Sequence, residues 1–273
     1  MLTLISGSSG WIGKNLCDYL KSIGEEVIPY DLENGRDIFN DWQLNHFIRQ
    51  ADLVIHLAGC TGVPVSYQVP FDFYRVNTEG SARVFRAASR YKVKVIHAST
   101  GEIYTKNSPY AASKIGAEAA AEAETQVNGL DVVILRFLNP YGVGQPNKYV
   151  IPLFLKRAMN GEQLTIHGAG DQRKDYIYVT DLVKAIWEAR QLPSGSISDL
   201  GSGKTTSINE IAETVKKLMF PKEVFIEHTG GNERPGEIMD LQGDMKLLYK
   251  LGWKPEISAE QGIRMVKKSM EEK

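Results

Sequence analysis

The chain has 273 residues, 42% of them apolar and 24% charged, with a formal net charge of -1. Usage this close to the average of folded domains excludes a disordered or low-complexity chain, and near-neutrality gives no electrostatic basis for nucleic acid or an anionic membrane as a partner. Two cysteines, Cys17 and Cys60, are too few for a disulfide framework or a metal cluster, so no metal is expected.

Met1 leads straight into strand-like residues without the charged and apolar segments of a secretory signal. The longest apolar run, 132–138, is broken by Arg136 and falls far short of the roughly 18 residues that span a bilayer. A cytoplasmic protein is expected. Residues 2–6, 26–30, 53–57, 93–98 and 132–137 are apolar almost throughout, as strands covered on both faces require. Helical patterns lie between them near 12–23, 78–90 and 110–128. Strand alternating with helix predicts an α/β fold, a doubly wound parallel sheet with right-handed crossovers. Beyond Pro140 the rhythm changes: Pro and Gly punctuate short elements, 175–190 reads as a further strand and helix returning to the sheet, and 208–218 as a helix.

Directly after the first predicted strand comes Gly7-Ser8-Ser9-Gly10-Trp11-Ile12-Gly13, a GxxGxxG pattern opening a helix. Small residues there let the backbone approach a pyrophosphate, and the first helical residues, Trp11, Ile12 and Gly13, offer free N–H groups at the positive end of the helix dipole. Such a turn also occurs simply as a turn. Asp31 adds a second signal, because it ends the second strand at the spacing of a carboxylate that accepts from an adenosine ribose. An acceptor-only side chain repels a 2′-phosphate, so NAD is expected rather than NADP. Asp37 and Ile38 are placed along the adenine, and Leu57 and Ala58, at the end of the third strand, beside the cofactor. The expected organisation is a dinucleotide-binding Rossmann-type domain of residues 1–140 and about 170–203. A smaller, discontinuous substrate domain of about 141–169 and 204–273 would sit over the carboxyl ends of the strands.

After the fourth strand the chain reads STGEIYTKNSPYAASK, from Ser99 to Lys114. Tyr110 and Lys114 stand at i and i+4, on one helix face. A phenol with an ordinary pKa of about 10 is a poor base at neutral pH, and a neighbouring ammonium favours its phenolate. That brings Tyr110 into the range for exchanging a proton with a hydroxyl. Thr100 closes the strand that leads to this pair. On an extended strand Glu102, two residues on, would point to the same face as Thr100.

Together these motifs resemble the extended short-chain dehydrogenase/reductase family, in particular its NAD-dependent nucleotide-sugar epimerases and dehydratases. The likeness runs over nearly the whole chain and includes DLVIHLA at 52–58, NTEG at 77–80, RFLNPYG at 136–142, DYIYV at 175–179, RPGE at 234–237 and LGWKP at 251–255. The resemblance implies that Tyr110 is the acid/base on a sugar hydroxyl. Lys114 would hold the nicotinamide ribose, and Thr100 would bond the same sugar oxygen. It places Asn77 near the nicotinamide and Asn139, Lys174 and Arg234, with Arg173 beside Lys174, on the diphosphate of a nucleotide-sugar substrate. It also implies a homodimer through the Ala-rich helices at 78–90 and 110–127.

Two departures stand out. Only nine residues separate Thr100 from Tyr110, so there is less cover over a bound sugar than in the family at large. Lys174 stands where the family carries a diphosphate-binding Arg, replacing a bidentate fork by a point charge unless Arg173 takes over. Glu102 leaves the reaction open. Transient oxidation at sugar C4 followed by rotation would make the protein a UDP-hexose 4-epimerase-like enzyme. The Ser-Thr-x-Glu pattern also resembles 4,6-dehydratases and UDP-glucuronate decarboxylases, with Glu102 as base, although Gly101 cannot supply the further acid of many dehydratases. A non-catalytic dinucleotide-binding sensor is the reading from another class.

Overall fold

The computed structural model describes residues 1–230 and 239–272. From the N-terminus the chain forms β1 (Leu2–Ser6), α1 (Trp11–Ser22), β2 (Glu26–Tyr30), α2 (Asp41–Ile48), β3 (Leu53–His56), α3 (Val63–Gln68), α4 (Pro70–Phe73), α5 (Ser81–Tyr91), β4 (Lys94–Thr100), α6 (Pro109–Asn128) and β5 (Val132–Phe137). The remainder forms β6 (Asn139–Tyr141), α7 (Val150–Met159), β7 (Leu164–His167), β8 (Arg173–Tyr178), α8 (Val179–Glu188), β9 (Ile197–Leu200), β10 (Thr205–Ser207), α9 (Ile208–Met219), β11 (Ile226–Thr229), β12 (Asp240–Leu241), α10 (Lys246–Lys250) and α11 (Ala259–Glu271). Two compact units result. One holds Met1–Phe137, Val183–Asp199 and Lys246–Trp253; the other holds the described residues of Leu138–Leu182, Leu200–Met245 and Lys254–Lys273.

The first unit is built on a six-stranded sheet in the order β2-β1-β3-β4-β5-β9. Its first four ladders are parallel. β9 runs the same way, since Ile134 N–H reaches Ser196 O and Leu138 N–H reaches Leu200 O. This sixth strand was not among those predicted, because Ile-Ser-Asp-Leu lacks the β-branched run that marks the other five. Val54, Val95 and Leu4 are fully buried in one cluster with Phe85, Ala88 and Ala121 of the covering helices. Ala87, Ala88 and Ala121 leave room for α5 and α6 to lie close on the sheet. The strand order reverses at β1, with β2 on one side and β3 on the other, and the crevice beyond the carboxyl ends at such a point is where open α/β sheets take ligands.

In the second unit β8 pairs with β10, β12 and β6. The expectation that 175–190 returns a strand to the main sheet is therefore corrected: of residues 170–203, only Val183–Asp199 groups with the first unit. The cause is visible in Asp175. It is fully buried on β8, and its carboxylate accepts from Ser202 N–H and Oγ, Gly203 N–H and Gly243 N–H, gathering two loops around the strand. Burial raises its pKa while those donors lower it. Capping boxes at Ser207/Glu210 and Ser258/Gln261 start α9 and α11, each satisfying helix-end N–H groups reciprocally.

Candidate active site

The loop after β1 is shaped by two glycines that admit no side chain. Gly7 has φ +75, and a Cβ there would lie 2.7 Å from Ala58 N; a Cβ on Gly13 would lie 2.1 Å from Gly7 O. Backbone therefore closes directly on backbone, and Gly10 precedes α1 without any side-chain cap or acidic residue in the first turn. The N-terminal N–H groups of Trp11, Ile12 and Gly13 thus meet no neutralising carboxylate from their own helix, the electrostatic requirement for a bound pyrophosphate. Asp31 Oδ2 accepts from Ser9 N–H at 3.0 Å and Oδ1 from Glu33 N–H at 3.1 Å, so it ties the glycine loop to the end of β2. A carboxylate offers about four acceptor positions, so these bonds leave capacity for ribose hydroxyls. Arg36, a few residues beyond Asp31, donates to Pro29 O and lies 4.1 Å over the Phe47 ring. Asp37 caps Phe39 N–H at 2.9 Å, and Ile38 is buried against the site of Gly80.

Beyond β3, Leu57 N–H donates to Ser6 O at 3.0 Å and Ala58 N–H to Ser6 Oγ at 3.3 Å, which fixes the loop that continues through Gly59 and Cys60. Asn77 clasps that loop. Fully buried in a π-helical turn, Tyr74–Gly80, it accepts from Cys60 N–H at 2.8 Å and donates to Cys60 O at 3.1 Å and to Ser113 Oγ at 2.9 Å. The extra residue in such a turn re-aims one side chain, which is its common use near functional sites. A Cβ on Gly59 would stand 2.8 Å from Asn77 Oδ1 and 3.5 Å from Lys114 Nζ. Thr78 Oγ1 also donates to Ser113 O at 2.8 Å, so the turn and α6 are locked together.

Lys114 is 4% exposed, and its Nζ donates to Ala98 O at 2.8 Å. Burial pulls its pKa from 10.5 to about 8, and Glu118 and then Cys60 act against that fall. Tyr110 lies one turn earlier on α6, behind the cap made by Ser108 Oγ and the N1 proline Pro109, with its ring edge-on to Phe73 at 5.9 Å. The nine residues between Thr100 and Tyr110 form one 3-10 turn, Gly101–Tyr104, and this cap. Here the strand argument for Glu102 is corrected: β4 ends at Thr100, and Glu102 N–H donates to Thr100 Oγ1 at 3.2 Å within the turn. Thr100 and Glu102 are thus cap and first-turn residue, and the alternation of a strand does not relate them.

In the second unit, Asn139 Nδ2 donates to Asp175 O at 3.3 Å. Arg173 is engaged by Thr205 Oγ1 at 3.1 Å, Thr205 O at 2.8 Å and Glu210 at 3.0 Å, while Lys174 follows it on the opposite face of β8. Arg234 lies outside the described residues.

Sequence reasoning missed Gly59, Ser113 and the buried pair His56 and His97. His56 bridges Ser6 Oγ at 2.6 Å and Ser81 Oγ at 2.9 Å; burial, with Lys114 behind it, lowers its pKa to about 3. Histidines inside predicted strands were the signal, since a half-polar ring in a buried run needs partners; His56 has them, while neither ring nitrogen of His97 is hydrogen-bonded among the described residues.

The family model described as "NAD dependent epimerase/dehydratase family" matches residues 3–200. A UDP-N-acetyl-alpha-D-glucosaminuronate decarboxylase of Bacillus cytotoxicus is 29% identical over 96% of this chain and 95% of its own. A dTDP-glucose 4,6-dehydratase of Streptomyces niveus is 30% identical over 85% of this chain and 75% of its own. The solved UDP-glucose 4-epimerase of Thermus thermophilus in complex with NAD superposes with a TM-score of 0.87 at 26% identity, covering 99% of both chains.

Proposed function

Because the chain belongs to the NAD dependent epimerase/dehydratase family, we propose that it is a nucleotide-sugar epimerase that works through transient oxidation at sugar C4. The observation that carries this reading is Lys114, buried against Asn77 and Gly59 one helical turn from Tyr110. Held along Gly7, Gly10 and Gly13, NAD supplies the oxidation and the reduction that follows it. The glycine cradle and the uncapped start of α1 suit that ligand.

Tyr110 Oη takes the proton from the C4 hydroxyl and returns it after the sugar has turned. Lys114, as the ammonium, favours the phenolate and holds the adjacent ribose; Thr100 Oγ bonds the reacting oxygen. Asp31 takes the adenosine ribose, with Asp37 and Ile38 along the adenine and Leu57, Ala58 and Asn77 toward the nicotinamide. Lys174, Asn139 and Arg234 carry the diphosphate, with Arg173, held by Thr205 and Glu210, beside Lys174. The protein acts in the cytoplasm as a homodimer. Ala112, Ile115 and Ala119 support the last point, forming an exposed stripe of small and apolar residues along α6.

A second reading, dehydration or decarboxylation with Glu102 as base, is favoured by one observation. The Glu102 carboxylate is half-buried and makes no hydrogen bond or ion pair with any described residue, so it is not spent on structure. Incubation with UDP-, GDP-, CDP- and dTDP-sugars separates the readings by mass and NMR. An isomer of unchanged mass is expected; loss of water or of carbon dioxide would move the assignment to the second reading. No product with any sugar, together with a cellular effect that survives Tyr110→Phe, would move it to a dinucleotide sensor.

A further inference from the structure

The 3-10 turn Gly101–Tyr104 follows directly on Thr100 and is closed by bonds to the backbone of Glu102. Glu102 N–H donates to Thr100 Oγ1 at 3.2 Å, and Glu102 O accepts from Thr105 N–H at 3.1 Å and from Thr105 Oγ1 at 2.7 Å. The first of these is at the long end of the range for such a bond, so the cap depends on what holds the turn from outside. Tyr104, the last residue of the turn, supplies that hold. Its OH donates to Asp199 Oδ1 on β9 at 2.7 Å and accepts from Arg136 Nη1 on β5 at 3.1 Å. The residue is 41% exposed, so apolar burial contributes less than for a core ring and the anchoring falls on the hydroxyl.

Arg136 is itself fixed. Its Nε and Nη2 bond the Glu118 carboxylate of α6 at 3.1 and 2.7 Å, and Ser99 Oγ, opposite Arg136 in the β4–β5 register, donates to the same carboxylate. With two prongs of the planar fork on Glu118, the third N–H group, Nη1, is left one direction in which to point. A half-buried ion pair of this kind gives little net stability over apolar side chains of similar volume, so its placement is the informative feature. Residues of β4, β5, β9 and α6 converge on one phenolic oxygen, carried four positions after Thr100.

We propose that Tyr104 is a positioning residue for Thr100: gripped by Arg136 and Asp199, its hydroxyl fixes the turn, the turn aims Glu102 N–H at Thr100 Oγ1, and with that lone pair engaged the Thr100 hydroxyl directs its proton to the reacting sugar oxygen. This rests on the reading of Thr100 as the group that bonds that oxygen, but the first part of its test needs no substrate. In NAD-saturated protein, amide exchange is followed by NMR at Glu102 and Thr105, with Val54 of β3 as the core reference. Tyr104→Phe removes the hydroxyl alone, so both amides exchange about 2- to 10-fold faster while Val54 is unmoved. Asp199→Ala gives the same acceleration, and the double variant exchanges no faster than either single one. Asp199→Asn, which keeps an acceptor oxygen, exchanges at the parent rate. Rescue and non-additivity together mark one shared bond, which a general loosening of the fold would not produce. With UDP-glucose as the probe, kcat falls about 10-fold in Tyr104→Phe at unchanged KM, the pattern of an interaction realised in the transition state. Unchanged exchange at Glu102 in Tyr104→Phe, an additive double variant, no recovery in Asp199→Asn, or full turnover despite faster exchange overturns the proposal. Should Asp199→Ala lose its cooperative melt, Tyr104→Phe and Asp199→Asn decide between them, acceleration in the first with parent rates in the second supporting the proposal and any other pair of results overturning it. A parent inert toward UDP-glucose counts against the epimerase reading separately, and the exchange pattern alone then judges Tyr104.

Discussion

Lys114 shows how a single residue sets function against stability. Its folded pKa of about 8 lies below its ordinary 10.5, so folding disfavours the charged form. The sign follows from linkage: the cost is complete below about pH 8, shrinks as pH rises, and vanishes above about 10.5, where both states are neutral. Lys114→Met is therefore expected to melt at higher temperature than the parent at pH 7, with the gap closing by alkaline pH, while losing activity. Thermal melts across pH check the first part and steady-state rates the second. Tyr110→Phe removes only the exchangeable proton; kcat is expected to fall on the order of 100-fold to 10,000-fold with NAD binding unchanged, read by turnover and by fluorescence titration. The Tyr110–Lys114 spacing was legible because i and i+4 fall on one face whatever the fold. Glu102 was misplaced because the end of β4 is set by the Thr100 cap, which spacing alone does not reveal.

At the scale of elements, the approach of backbone to backbone decides the site. Gly13→Ala would drive a methyl to within 2.1 Å of Gly7 O, with no flexible side chain there to yield. Roughly 1–3 kcal/mol of destabilisation and weakened NAD binding are expected, measured by denaturant melts and cofactor titration. Asn77→Ala opens the clasp on Cys60 and leaves a buried N–H and C=O without their partner, about 1–3 kcal/mol. The expected sign of a local rather than global effect is faster amide exchange at Cys60 and Ser113 with the sheet core unchanged. The glycine pattern announced the first of these contacts. Nothing in NTEG announced the second, because the π turn that aims Asn77 at Cys60 depends on how α4 and α5 meet.

At the scale of the molecule, the described residues contain no helix long and apolar enough to cross a membrane. The dimer proposal belongs here as well. Ala119→Arg places a long charged side chain in the exposed stripe of α6, so a shift from dimer to monomer mass in light scattering is expected, with the melting temperature nearly unchanged. A parent protein that is already monomeric at micromolar concentration would refute the homodimer.

Five strands, three long helices, the glycine loop and the Tyr-Lys pair could all be read from the sequence, because each depends on local periodicity or on spacing within one element. The parallel sheet followed, since alternating buried strands and helices have few other ways to cover both faces. Tertiary structure alone decided that β9 completes the sheet, that β8 belongs with β6, β10 and β12, and that Arg173 is bound to Glu210. It also brought Glu118, Arg136 and Ser99 together from α6, β5 and β4. Such contacts join residues far apart in the chain, and their energies depend on burial and approach, which sequence spacing does not carry.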